Sequence, residues 1–259
     1  MPQNGARPAG TSDETSVTQS VRQMFNSIAP RYDLLNHVLS AGVDRLWWRR
    51  TARRFGAILA IPDAAILDIC CGTGDMTVAL LEYRPPAARP VLAADFARAM
   101  LSRGTEKLAA REPQAPNALA VEADALHLPL RSASLDLVVT AFGFRNLANY
   151  ETGLRSFYRI LKPGGQLGIL DFSVPGGLIG KVYGVYFHRV LPALGRMISA
   201  SADAPSNGPY NYLPTSVGNF PPPPEMLSLM RATGFTNCAW QPYTFGIAGL
   251  YTATRSDVA

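Results

Sequence analysis

A short segment that joins two apolar runs carries the residues best suited to hold a cofactor. The first run, residues 66–69, contains Asp68, and Gly72 and Gly74 follow it shortly before a predicted helix. Glycines at this place allow the tight turn and the close backbone approach that a bound nucleotide requires. Asp95 ends the next apolar run, 21 residues past Gly74, where a carboxylate at a strand end accepts hydrogen bonds from a ribose diol. The pattern favours a nucleotide-cofactor site over a plain strand-turn-helix whose glycines serve only the turn.

The charges around this loop indicate which cofactor it would accept. A dinucleotide site has a third glycine and helix-end amides for its pyrophosphate, whereas this chain has Thr77 at the third position and Asp68 and Asp75 on either side of the loop. Carboxylates there repel phosphate. They suit a cofactor that has a ribose, no phosphate and a positive charge, and S-adenosylmethionine meets that description. We expect Asp68 either to bind the amino group of this cofactor, directly or through water, or only to brace the loop.

The surrounding sequence predicts the elements that position this loop. Apolar runs alternate with helical patterns from Ala64 onward, which is typical of a doubly wound, mostly parallel sheet. Strands are predicted near residues 65–70, 91–95, 118–122, 135–141 and 166–172, and two more near 236–241 and 247–254. Helices are predicted near 75–83, 97–111, 150–161 and 225–233. The turn Lys162-Pro163-Gly164-Gly165 should end a helix and lead into the fifth strand.

The segments outside this alternation have their own character. We expect residues 1–16 to be a disordered tail and residues 17–60 to form a helical lid over the cofactor, interrupted at Pro30. After the fifth strand, residues 176–224 should form a substrate-side insert. Its first part, 176–200, has a helical pattern of apolar, aromatic and basic residues, and 201–224 is rich in Pro, Asn and Ser and is predicted to be a loop.

Composition limits the class of protein. A chain of 259 residues that is 47% hydrophobic is long enough for one large domain, which we place at 17–255. The first 20 residues lack the apolar core of a signal peptide, so we expect a cytoplasmic protein. Three cysteines, two of them adjacent, suit a reducing compartment, and their spacing resembles no metal site.

Several motifs resemble those of the ubiquinone and menaquinone biosynthesis C-methyltransferase family. The resemblance extends from about Val21 to Tyr251. It rests on FNSIAPRYDLLN at residues 25–36, SAGVDRLW at 40–47, FGFRN at 142–146, RILKPGG at 159–165, LDFS at 170–173 and YNYLPTSV at 210–217, together with the glycine loop. The glycine loop and the Lys-Pro-Gly-Gly turn occur in many methyltransferases. The Tyr-Asp-x-x-Asn and Phe-Gly-x-Arg-Asn segments are much more specific.

The resemblance implies a fold, a reaction and a set of cofactor contacts. The implied fold is the Rossmann-like class I S-adenosylmethionine-dependent methyltransferase, with a seven-stranded sheet, an N-terminal helical lid and a helical insert after strand five. The implied reaction is C-methylation of a polyprenylated quinol, either demethylmenaquinol, which we favour, or the benzoquinol of the ubiquinone pathway, or both. The family's cofactor contacts map onto Thr73, Asp95, Asp124 and Ala125. The full set that we assign to cofactor binding also includes Asp68, Gly72, Gly74, Phe96 and Ala141.

Some of these positions also have independent support or depart from the family. Asp124 follows a strand-like run, so its side chain could accept from an adenine amine while the Ala125 amide donates; the alternative is a turn or a helix cap before Leu126. Ala141 stands where the family usually has a serine, and Tyr251 where it has a histidine near the C-terminus. The loop 201–209 looks longer than usual.

Methylation at a quinol carbon requires a site that stabilises a phenolate, and four residues are assigned to it. Arg145 has a permanent charge and a planar set of donors, which suits phenolate orientation and stabilisation but not proton acceptance. Asn146 would hold Arg145 or the substrate, and a water, Tyr32 or Asp33 would relay the proton. The alternative is that Arg145 and Asn146 only bind backbone carbonyls at a strand end.

The expected partners follow from substrate and charge. The substrate would be a lipid-soluble quinol, and residues 176–200 combine large apolar side chains with Lys181 and Arg189, which suits either peripheral contact with an anionic membrane on its inner face or a buried pocket wall. A homodimer is left open and no nucleic-acid partner is expected. Two rival hypotheses are methylation of another small molecule or a base, and a cofactor-binding protein without catalysis. Methylation of a base at an exocyclic amine would require an Asn/Asp-Pro-Pro-Tyr/Phe motif after strand four, and this chain has Phe-Gly-Phe-Arg-Asn there instead. A protein without catalysis is disfavoured because polar residues remain at the cofactor mouth.

Overall fold

Seven strands form one mixed sheet in the computed structural model, which describes residues 5–8, 10–31, 42–111, 117–177, 180, 184 and 209–257. The strands are β1 (Ile66–Ile69), β2 (Val91–Asp95), β3 (Ala118–Glu122), β4 (Leu135–Ala141), β5 (Leu161–Phe172), β6 (Phe235–Tyr243) and β7 (Ala248–Arg255). Their order is β3-β2-β1-β4-β5-β7-β6. The first five are parallel, and β7 is antiparallel to both β5 and β6. The strand order reverses between β1 and β4, and ligands of such sheets bind beside the carboxyl ends at this reversal.

Helices cover both faces of the sheet. They are α1 (Glu14–Ile28), α2 (Asp44–Arg54), α3 (Gly56–Leu59), α4 (Asp75–Leu81), α5 (Arg98–Arg111), α6 (Tyr150–Ile160), α7 (Pro209–Asn219) and α8 (Pro223–Ala232). Their starts have identifiable causes. The Asp13 side chain caps α1 by accepting from the Ser16 amide, and α4 follows Gly74, whose φ of +84° is accessible to glycine at little cost.

The core lies on both faces because successive strand residues point to opposite sides of the sheet. On one face, the rings of Phe144, Tyr150 and Phe157 pack with residues of β5 and β7. On the other, Trp47 and Phe55 pack against β4. Every residue of β1 is buried, as expected for a central strand of a parallel sheet. The predicted α/β alternation and parallel sheet are confirmed.

Two predicted segments differ from the structure. The tail 1–16 is not wholly disordered, since Ala6 is buried and its amide donates to the Leu147 carbonyl at 2.8 Å. Small residues explain this contact, because a Cβ at Gly5 would overlap with the Ala148 carbonyl. The prediction of a loop over residues 201–224 is wrong from Pro209 onward, because α7 and the start of α8 lie there. Pro209 is the first residue of α7 and Pro223 the first of α8, positions at which proline is tolerated, so these two prolines open helices and do not mark a loop; Pro214 lies inside α7.

Other boundaries moved less. Strand β5 begins at Leu161, before its predicted start, and the Lys-Pro-Gly-Gly turn forms an irregularity within it, with Leu135 paired to Leu161 and Leu137 to Gln166. The lid region holds α1, a 3-10 turn over Ala29–Arg31, α2 and α3. Most of the predicted helical insert 176–200 lies outside the described residues.

Candidate active site

A cleft opens at the carboxyl ends of β1, β2 and β4. It encloses about 630 Å³ including its open mouth, within the size range of small-molecule sites. Helix α1 contributes Thr18 and Phe25 to its wall. Helix α5 contributes Met100, and Asp95 and Ala141 are the last residues of β2 and β4. The remaining lining residues come from the segments that follow the strands and are Cys70, Gly72, Phe96, Ala123, Asp124, Ala125, Leu126, Phe142, Gly143, Asn146, Leu147 and Ala148.

Asp95 joins the ends of β1 and β2. One carboxylate oxygen accepts from the Gly72 amide and the other from the Ala97 amide, both at 2.8 Å. Burial raises the pKa of Asp95 to about 6, and the backbone hydrogen bonds from Ala97 and Gly72 act in the opposite direction. Each oxygen retains a second lone pair, so the carboxylate can hold the glycine loop and still accept from a ribose hydroxyl.

Asp68 lies beneath the loop and does not line the cleft. The Thr77 hydroxyl donates to Oδ2 at 2.5 Å, while Oδ1 is buried with no hydrogen-bond partner among the described residues. Burial raises the pKa of Asp68 to about 7, and repulsion from Asp95 acts in the same direction. The hydrogen bond from Thr77 lowers the pKa and offsets part of this rise. Of the two roles left open by the sequence, the structure contains the bracing contact.

Thr73 and Gly74 are also placed behind the cleft, not on its wall. The buried Thr73 hydroxyl accepts from Lys107 Nζ at 3.2 Å, and the same ammonium binds Asp75 at 2.9 Å. Lys107 thus offsets one of the two carboxylates that flank the glycine loop, a contact with no signal in the local sequence.

Asp124 and Ala125 line the cleft after β3. Asp124 Oδ1 accepts from the Leu126 amide at 2.9 Å, and Oδ2 lies 3.5 Å from His127 Nδ1. The turn role considered for Asp124 is therefore present. Its position on the cleft wall leaves the cofactor role compatible with the structure.

Arg145 is not among the residues that line the cleft. Its Nη1 donates to Asp171 Oδ1 at 2.9 Å and also to the Phe142 carbonyl, and its backbone amide donates to Asp171 Oδ2 at 3.0 Å. The guanidinium carbon lies 5.1 Å from the centroid of the Phe172 ring. The charge is buried, paired and partly engaged with a backbone carbonyl, as the alternative for this residue anticipated.

Asn146, in contrast, does line the cleft. Its Oδ1 accepts from the Tyr212 hydroxyl at 3.1 Å, and its Nδ2 lies 3.4 Å from the Phe142 carbonyl. Burial raises the pKa of Tyr212 to about 12, so this hydroxyl acts as a donor at neutral pH. Sequence reasoning did not assign roles to Asp171 and Tyr212, although both lie in the LDFS and YNYLPTSV motifs.

The remaining predicted positions divide into two groups. Phe96 and Ala141 line the cleft, whereas Tyr32 and Asp33 lie outside the described residues. Tyr251, where the family has a histidine, is buried in the core. Among the described residues no cluster of His, Cys, Asp and Glu could hold a metal ion. Within the same part of the chain, no helix has the length and apolarity needed to cross a bilayer.

Comparison with known proteins identifies the family. The model of the ubiE/COQ5 methyltransferase family matches residues 13–255. The chain belongs to this family. Demethylmenaquinone methyltransferase of Deinococcus radiodurans is 43% identical over 94% of this chain and 95% of its own length, and that of Thermus thermophilus is 45% identical over 90% and 100%. The ubiquinone/menaquinone biosynthesis C-methyltransferase UbiE of Geobacter sulfurreducens is 38% identical over 93% and 90%.

Solved structures outside the family show the same fold. The [4+2]-cyclase SpnF has a TM-score of 0.62 at 15% identity over 98% of this chain and 99% of its own. A SAM dependent methyltransferase from Aquifex aeolicus has a TM-score of 0.57 at 16% identity over 82% and 92%. At this identity the likeness establishes the class I methyltransferase fold alone, because one fold hosts several chemistries.

Proposed function

We propose that this protein transfers a methyl group from S-adenosylmethionine to a ring carbon of demethylmenaquinol. The observation that carries this proposal is the identity of 43% and 45% to two demethylmenaquinone methyltransferases over at least nine tenths of both chains. The relative from Geobacter whose name includes ubiquinone is less similar, at 38%. The benzoquinol of the ubiquinone pathway therefore remains the second candidate, alone or beside demethylmenaquinol.

The charges at the cleft support the cofactor assignment. Burial raises the pKa of two carboxylates, Asp95 on the cleft wall and Asp68 beneath the loop, and the charge of Asp95 raises that of Asp68 further. A cationic ligand offsets the cost of ionising these carboxylates and a pyrophosphate adds to it. S-adenosylmethionine supplies an activated methyl group on a sulfonium. Its ribose would be held by Asp95 and its adenine by Asp124 and Ala125, while Gly72 gives the backbone room to approach.

The Arg145 segment supports the substrate side of the proposal. A quinol that is methylated at carbon must lose a hydroxyl proton, so that negative charge spreads over its ring. Asn146 is the polar residue of this segment that lines the cleft, and its amide would orient the quinol oxygen. Arg145 would act from behind Asn146 as a fixed positive charge partly neutralised by Asp171. Tyr32, Asp33 and water stay the predicted proton acceptors.

A parallel assay tests the proposal. Methyl transfer is measured with demethylmenaquinol and with the benzoquinol precursor under the same conditions, with radiolabelled S-adenosylmethionine and product identification by mass. The expected result is carbon-methylated menaquinol at a higher kcat/KM than the benzoquinol product. Turnover of the benzoquinol alone would reverse the substrate assignment. Absence of transfer to both quinols, with cofactor binding intact, would reject quinol methylation.

A further inference from the structure

Exposed apolar side chains gather on one part of the surface. Leu46, Val174 and Phe245 are 62%, 66% and 80% exposed, and the other large apolar side chains of the described residues that are similarly exposed are Ile61 and Leu119. Phe245 also has a φ of +58°, a left-handed conformation that is costly for a bulky residue. Packing among the described residues does not account for an aromatic ring that a strained turn holds 80% exposed.

Two of these side chains are brought together by a hydrogen bond between their neighbours. Trp47 Nε1 donates to Thr244 Oγ1 at 2.8 Å. Since Leu46 precedes Trp47 in α2 and Phe245 follows Thr244 in the β6–β7 turn, the bond holds both apolar side chains at one place.

The third exposed side chain joins the same place. The Ser173 hydroxyl donates to the Gly246 carbonyl at 2.6 Å, and its amide donates to the Ile247 carbonyl at 3.0 Å. Val174 therefore lies beside the same turn. Because β7 runs antiparallel to β5, this turn lies at the carboxyl edge of the sheet, the edge that also carries the cleft.

The exposed face of α2 adds a dense positive charge. Every exposed residue of this helix other than Leu46 is an arginine. These arginines are spaced by four residues in two adjacent rows, Arg45, Arg49 and Arg53 in one and Arg50 and Arg54 in the other. Glu82 offsets part of the charge through an ion pair with Arg49 at 3.2 Å. Residues four apart share a helix face, so each row lies along one strip of the helix and the two strips are neighbours.

We propose that this docking face, formed by the α2 arginines with Leu46, Val174 and Phe245, binds the surface of an anionic lipid bilayer. Guanidinium groups would meet lipid phosphates, and the three apolar side chains would enter the boundary between headgroups and acyl chains. The inference rests on the proposed function, because a quinol with a polyprenyl tail resides in a bilayer and the docking face lies at the cleft's edge of the sheet. It is distinct from the membrane contact expected of residues 176–200, most of which lie outside the described residues.

Vesicle co-sedimentation with the full chain tests the proposal without substrate or cofactor. The vesicles contain either phosphatidylcholine alone or equal parts of phosphatidylcholine and phosphatidylglycerol. The charge variant combines Arg45→Gln, Arg49→Gln and Arg53→Gln, and its matched control combines Arg103→Gln, Arg131→Gln and Arg231→Gln. We expect the native chain and the control to bind anionic vesicles in a salt-sensitive manner. The partition coefficient of the charge variant onto anionic vesicles should be lower by a factor of roughly ten or more.

A second pair of variants reports insertion directly. Asn tolerates left-handed backbone, so Phe245→Asn should weaken vesicle binding, whereas Leu119→Thr on the opposite edge strand should not. In addition, the fluorescence of Phe245→Trp should be quenched by lipids brominated on their acyl chains, and that of Leu119→Trp should not. Circular dichroism and S-adenosylmethionine binding establish that each variant is folded.

Each alternative result has a defined meaning. Equal loss of vesicle binding in the charge variant and in its matched control would show that binding depends only on the net charge of the protein, which would overturn the proposal. Absence of binding by the native chain, together with a dimer that Phe245→Asn dissociates, would assign the face to a second copy of the chain. Vesicle binding without methyl transfer to a short-chain quinol would reject the proposed function and leave the docking face in place. The reverse result would reject only the docking face.

Discussion

Arg145 is bound by Asp171 through two separate hydrogen bonds, one from the guanidinium at 2.9 Å and one from the backbone amide at 3.0 Å. A single carboxylate at the end of β5 thus fixes both the backbone and the side chain of the segment that follows β4. The pair is almost completely buried, with 6% and 0% of the two side chains exposed. Asp171 positions Asn146 indirectly, because Asn146 is the next residue in this fixed segment.

The first prediction concerns this pair. Asp171→Asn leaves the guanidinium buried without a full countercharge, so the free energy of unfolding should fall by about 3 kcal/mol. Denaturant unfolding measures the change. The matched control is Glu151→Gln, which removes an exposed ion pair with Arg155 and should cost less than about 1 kcal/mol. Equal losses of unfolding free energy in Asp171→Asn and Glu151→Gln would contradict the view that burial makes the Arg145–Asp171 pair more costly to break than an exposed pair.

The Tyr212 hydroxyl gives the second prediction. Tyr212→Phe removes the hydrogen bond to Asn146 Oδ1, worth about 1 kcal/mol. We expect kcat to fall about fivefold while the Kd for S-adenosylmethionine is unchanged, because Asn146 is assigned to the quinol side. Tyr158→Phe, which removes a hydroxyl bonded to Ser256, should leave kcat unaltered. A Tyr212→Phe variant with weakened cofactor binding and normal turnover would show that Tyr212 and Asn146 act on the cofactor side of the site and not on the quinol side.

Asp95 gives the third prediction. Asp95→Ala should weaken S-adenosylmethionine binding by on the order of 2 kcal/mol, because the acceptor for the ribose is lost. Isothermal titration calorimetry measures the affinity. Since Asp95 also holds Gly72, thermal unfolding is recorded in parallel, and Asp63→Ala in an exposed loop is the control. Unchanged affinity in the Asp95 variant would refute its cofactor role.

The fourth prediction is a pH dependence of stability. The pKa of Asp68 is raised from 3.8 to about 7 in the folded chain, so the folded state holds a proton that the unfolded chain releases at lower pH. The stabilisation is fully present below pH 3.8 and is lost as pH rises through about 7. Asp68→Asn should flatten the decline of the apoprotein's unfolding free energy across this range. The control Asp63→Asn should leave the pH dependence of the unfolding free energy unchanged. A steeper decline of the unfolding free energy with pH in Asp68→Asn would contradict the raised pKa of Asp68.

The fifth prediction uses the contact between the glycine loop and the segment after β4. A Cβ at Gly143 would overlap with the Cβ of Cys70, which itself has a φ of +57°. Gly143→Ala should lower the free energy of unfolding by about 2 kcal/mol through overpacking. Adding Cys70→Gly removes the opposing carbon and the left-handed strain, so the double variant should recover most of the loss. A double variant no more stable than Gly143→Ala would show that another contact is responsible.

The predicted site residues that line the cleft are those whose position depends on local spacing. Gly72, Asp95 and Asp124 follow strands, and a parallel sheet brings its strand ends to one edge whatever the details of packing. Their place in the cleft therefore required only the strand assignments. Thr73, assigned to the cofactor from the family resemblance, and Gly74 lie in the same loop but are not among the residues that line the cleft.

The partners of Arg145 and Asn146 could not be predicted in this way. Asp171 is 26 residues beyond Arg145, and Tyr212 is 66 residues beyond Asn146. Such pairs depend on how two elements pack, and their residue types alone do not specify a contact. Helix α7 was also missed because Pro209 and Pro214 resemble the prolines of a loop, although Pro209 is in the first helical turn, where proline costs little.

The order of the strands has a consequence for how the chain is made. Strand β7 lies between β5 and β6, yet it follows every other strand in sequence. During synthesis the hydrogen-bonding edge of β5 therefore stays uncovered until the ribosome has released β7, and β6 has no strand to join before then. Uncovered edges of this kind recruit other chains. Between the emergence of β5 and that of β7, the nascent sheet therefore presents an open edge to which other chains can pair.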